Sequence, residues 1–78
     1  MSKHYNVVVN FKKIYVVEVP DETPIDVVEE FVYEDALMDG DIDEVTATMI
    51  EKDYVQLHLH HANERIDLDE FMGVGVYE

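Results

Sequence analysis

His58 and His60 stand two apart in a run, residues 54–60, where Val55, Leu57 and Leu59 alternate with Gln56, His58 and His60. In a strand, both imidazoles share the outer face about 6 to 7 Å apart, and two such groups can hold zinc, nickel or copper. A catalytic zinc site needs a third protein ligand, which must then come from a neighbouring strand. A second set, Asp39, Asp41 and Asp43, directly follows a predicted helix. The first three ligands of an EF-hand loop have that spacing, and hard oxygens at alternate positions suit calcium. The rest of the EF-hand pattern is missing: Glu44 stands where the sharp turn needs Gly, and Ile50 where the bidentate Glu belongs. A polar row on an open sheet face and a solvated acidic turn account for both sets without metal. Calcium or zinc binding is therefore the alternative reading, and no cofactor is expected.

Other chemistries find less to work with. Carboxylates are so numerous that a pair has no meaning without a pocket to separate the two pKa values. Ser2 is the only serine and there is no cysteine, so neither a Ser–His–Asp set nor a thiolate nucleophile is at hand. No Gly-rich phosphate loop is present. With 5 basic and 19 acidic residues the formal net charge is −14, and such a surface repels nucleic acid. The chain reads as a non-enzyme that does not bind nucleic acid directly.

What remains is the charge itself. From residue 14 to residue 51 there are acids throughout and neither Lys nor Arg. Like charge at this density opposes compaction, so it serves solubility, salt adaptation or a basic partner. In the middle of the stretch, Ile25, Val28, Val32 and Ala36 recur at helical spacing, with Phe31 beside them. Thr23 is the expected N-cap, Pro24 the first helical residue and Gly40 the C-cap. Asp26, Glu29, Glu30 and Glu34 fall largely on the opposite side with Tyr33 among them, and Asp39, Asp41 and Asp43 continue the negative surface past the helix end. Residues four apart on a helix are about 6 Å apart along it. Asp26, Glu30 and Glu34 therefore form a row that resembles successive phosphates on a nucleic-acid strand.

The elements that must position these groups follow from the apolar pattern. Residues 5–11 put Tyr5, Val7, Val9 and Phe11 on one face of a strand. Lys12 and Lys13 read as a turn, and residues 14–19 as a second strand ended by Pro20. After the helix, residues 45–50 form a third strand with Val45, Ala47 and Met49 inward, and residues 54–60 a fourth. Residues 66–68 suit a short strand, 69–72 one helical turn, and 74–77 a last edge strand.

The expected fold is α+β. An antiparallel sheet of four or five strands carries one helix on one face, in the order strand-strand-helix-strand-strand. The helix residues Ile25, Val28, Phe31, Val32 and Ala36 should pack on Val7, Val9, Val17, Val55, Leu57 and Leu59. The 78 residues make a single domain, with a normal hydrophobic share of 47 per cent. No apolar run approaches a membrane span of about 20 residues. With no signal-like start, a cytoplasmic protein is expected.

In size and in the acids from residue 18 to residue 44, the chain resembles small acidic proteins of phages and other mobile elements. Some of those are DNA mimics that occupy the nucleic-acid site of a host enzyme. The resemblance implies an inhibitor that binds a basic host protein in the host cytoplasm. The strand-strand-helix opening over residues 5–38, and an Ile-x-Leu-Asp run at Ile66 to Asp69 before Phe71, also resemble DpnD/PcfM-like proteins. Residues 45–60 are an insertion relative to that pattern and are expected to be two strands. A third expectation is a homo-oligomer joined through Ile14, Val16 or the edge at Val74 to Val76.

Overall fold

The computed structural model describes residues 2–38 and 40–73. The N-terminal half folds as a hairpin and a helix. Strand β1 (Ser2–Val9) and strand β2 (Lys13–Pro20) pair antiparallel, Tyr5 opposite Val17 and Val7 opposite Tyr15. Their alternation puts Tyr5, Val7, Val9, Tyr15, Val17 and Val19 on one face, and all six are buried. The turn is Asn10–Phe11 rather than Lys12–Lys13. Lys12 N–H donates to the Val9 carbonyl at 3.1 Å, while Asn10 and Phe11 have φ of 54° and 62°. Two positive φ values in succession match the right-handed twist of a hairpin. They also take Phe11 out of the strand, so this ring, expected on the face of Tyr5, Val7 and Val9, is 77% exposed.

Helix α1 (Ile25–Leu37) lies on the Tyr5/Val7 face, with Val28, Val32 and Ala36 fully packed. The expected caps shift. Pro24, in extended conformation, is the N-cap and its carbonyl accepts from Val27 and Val28 N–H, so Thr23 stands one residue outside. The helix stops at Leu37 with Met38 as C-cap, before Gly40. Ile25, expected in the core, stands at the first position of the helix and is 44% exposed.

Strand β3 (Val45–Ile50) pairs antiparallel with the other edge of β1. The fourth strand is not residues 54–60. A 3₁₀ turn (Lys52–Tyr54) leads into helix α2 (Val55–His61), and strand β4 (Glu64–Ile66) then pairs with β2 in parallel. The sheet is therefore mixed, in the order β3-β1-β2-β4. A parallel partner needs a long crossover, and residues 52–61 close that crossover over the sheet. Asn63 fixes its end: its N–H donates to the Ile14 carbonyl and its Oδ1 accepts from Ile14 N–H, both at 2.8 Å.

Alternation in residues 55–59 misleads because Val55, His58 and Leu59 also fit a helix at spacings of three and four. These three are half-buried, while Gln56, Leu57, His60 and His61 point out. Val55 shares a cavity with His4 and Ile50, and Leu59 one with His4 and Val16. These strand residues alternate with the core face, so α2 covers the opposite face, where Val16 and Ile50 are buried. Val55, Leu57 and Leu59 thus do not meet α1.

Helix α3 (Leu68–Met72) is capped by the Asp67 side chain, which accepts from Glu70 N–H at 2.9 Å, and closed by Gly73 at φ 67°. Phe71 returns to the α1 side and lies 4.8 Å from Phe31 between ring centroids. Two described helices join the one expected: α3 covers the helical turn expected at 69–72, and α2 stands where a strand was expected. No described helix is long and apolar enough to cross a membrane. Asp39 and the expected strand at 74–77 lie outside the described residues.

Candidate acidic interface

The outer face of α1 is set by what its inner face buries. With Val28, Val32 and Ala36 inward, positions 26, 27, 30, 33, 34 and 37 turn outward. All six are exposed. Asp26, Glu30 and Glu34 keep the predicted row in solvent, and Tyr33 stands beside them at 41% exposure. Between the acids lie two residues that a charged face does not need, Val27 at 42% and Leu37 at 45%. Met38, at 87%, extends this apolar component past the helix end.

Glu29, expected on the acidic side beside this row, turns away from it. Its Oε2 accepts from Ala47 N–H at 3.1 Å. Ala47 is on strand β3, at the edge of the described sheet, and the outward N–H groups of β3 meet no other described strand. Glu29 therefore satisfies one of those donors and leans against the sheet, half-buried, instead of facing solvent. Only the register of β3 reveals this.

The acids beyond the helix are held by one residue the sequence reading passed over. Asn10 Oδ1 accepts from Asp43 N–H at 2.7 Å and from Glu44 N–H at 3.2 Å, and its Nδ2 donates to the Asp41 carbonyl at 3.0 Å. Asn10 N–H also donates to the Glu44 carbonyl at 2.8 Å. A turn residue in the left-handed region thus clasps the whole segment, and Asn is the non-glycine type best suited to that backbone. Asp41 and Asp43 have exposed side chains on this pinned loop. The signal for this role was an Asn at the end of a strand.

The metal candidates do not converge. His58 and His60, two apart on α2, point away from each other. His58 is half-buried toward the sheet, and the exposed His60 ring meets His61 edge to face at 5.1 Å. Among the described residues, no three His, Asp or Glu side chains come together as a metal set. Of the surfaces expected to join copies, Val16 is buried under α2 at 1% exposure, Ile14 is half-buried, and 74–76 lie outside the described residues. Compared with known proteins, the chain matches no family model, no curated protein and no solved structure.

Proposed function

We propose that this protein is a non-enzymatic acidic binding module of phage or mobile-element origin. In this reading it occupies the nucleic-acid site of a basic host protein and inhibits it in the host cytoplasm. The observation that carries it is the exposed row Asp26–Glu30–Glu34 on a helix without Lys or Arg, backed by a packed core. Because Val28, Val32 and Ala36 anchor the helix, the backbone positions that carry the carboxylates hold fixed spacings in the free protein. Prearranged charge of one sign speeds encounter with an opposite charge and makes it salt-sensitive. Tyr33 adds contact area beside Glu30 and Glu34, and Asp41 and Asp43 extend the acidic surface along the loop that Asn10 pins.

The experiment is a capture from host lysate with the wild type and with a D26N/E30Q/E34Q variant, which keeps shape and removes charge. The expected result is a basic protein that competes with nucleic acid for binding and is lost with the variant. A captured protein that binds the variant equally and ignores added nucleic acid overturns the reading.

A further inference from the structure

We infer that α1 docks a basic amphipathic helix of its protein partner, so that the partner is recognised by apolar contacts and charge together. This rests on the reading of α1 as the partner surface and narrows what that partner presents. A helix on a sheet needs one apolar face, and α1 already has it in Val28, Val32 and Ala36. The second apolar set, Val27, Tyr33 and Leu37, is exposed on the far side, each by more than two-fifths. Solubility explains the acids around these residues and works against the residues themselves. Phosphate mimicry by charge alone has no use for them either, since a phosphate-binding channel meets its ligand with Lys and Arg.

A basic amphipathic helix accounts for both components. Helices pack with side-chain ridges in grooves, which would cover Val27, Tyr33 and Leu37. Lys and Arg at the flanks of such a seam meet acids across it, as at the edge positions of coiled coils. Around α1, Asp26 and Glu30 share the middle of the outward face with Tyr33 and Leu37, and Glu34 and Val27 lie on one flank, so the partner's Lys and Arg meet acids among its apolar contacts as well as beside them. The 13 residues of α1 give a contact of about 20 Å, enough for three turns of a partner helix.

The test uses the whole protein and three probes: a Leu/Lys peptide with one apolar and one basic helical face, a scrambled peptide of the same composition, and poly-lysine. The expected result is saturable binding of the amphipathic peptide, at least about tenfold tighter than the scrambled one. A V27S/L37S variant, exposed at both sites and checked for folding by circular dichroism, should lose about tenfold for the amphipathic peptide and nothing for poly-lysine. Equal binding of amphipathic and scrambled peptides, or an unchanged V27S/L37S variant, overturns the apolar component. If poly-lysine still binds in that case and D26N/E30Q/E34Q abolishes it, the carboxylate reading survives alone. If no probe binds saturably, both fall.

Discussion

Two helices cover the two faces of one sheet, and they are held very differently. Helix α1 buries Val28, Val32 and Ala36 almost completely, whereas α2 has no buried residue and rests on Val55, His58 and Leu59, all half-exposed. The contrast shows which face of the molecule is rigid. The backbone positions that carry the charges on α1 keep the spacing the helix gives them, because moving the helix requires breaking the core. Groups on α2, including its three histidines, ride on an element with little apolar contact beneath it, and such elements open at lower free energy than core ones.

The contrast is broken most directly by putting a charge into each helix. Val32→Asp buries an unpaired carboxylate and should cost about 4 kcal/mol. For a chain of this length total stability is about 4 to 12 kcal/mol, so the variant should be largely unfolded by urea titration, or far weaker than wild type. Leu57→Asp, at a position 56% exposed, should stay within about 0.5 kcal/mol. A comparable loss from both would mean that α2 is as deeply seated as α1.

The same contrast explains what could be read from the sequence. Helix α1 was legible because Val28, Val32 and Ala36 repeat at helical spacing and nothing competes with that pattern. The β1–β2 hairpin was legible because Tyr5, Val7 and Val9 answer Tyr15, Val17 and Val19. Residues 55–61 are too short for one period to exclude the other. Their state is decided by the sheet: β4 takes the free edge of β2 in parallel, and Val16 and Ile50 need cover. The outward row Asp26–Glu30–Glu34 followed from the same periodicity as the core. The departure of Glu29 did not, because it depends on where β3 lies, and long-range pairing leaves no local mark.

A third way of holding a segment sharpens the comparison. The loop after α1 packs Ile42 only partly against the core and has no ladder of its own among the described residues, and Asn10 fastens it. Asn10→Ala removes three side-chain hydrogen bonds to Asp41, Asp43 and Glu44 and places a less suitable residue in the left-handed region. The expected loss is about 2 kcal/mol. Hydrogen exchange should report it locally: Asp43 and Glu44 amides should exchange faster, while those in the middle of α1 slow and speed only with global stability. Acceleration in α1 beyond what the loss of global stability read by urea titration accounts for would tie the helix to the loop and undo the distinction between the two.

The smallest effect has the opposite sign. Phe11 sits beside Asn10 at φ 62°, a conformation that disfavours a bulky residue, and its ring is 77% exposed. Replacing it by Gly relieves about 1 to 2 kcal/mol of left-handed strain. Glycine gives back about 0.5 to 1 kcal/mol through the greater freedom of the unfolded chain. The ring has little burial to lose, so the net expectation for Phe11→Gly is a gain of about 0.5 to 1 kcal/mol, read as a higher urea midpoint with an unchanged slope. The gain should vanish in the Asn10→Ala background if Asn10 is what forces the turn, because a loosened turn lets Phe11 leave the left-handed region on its own. A loss of stability in Phe11→Gly would mean that the ring contributes packing its exposure does not suggest. The turn would then be held from both residues, not from Asn10 alone.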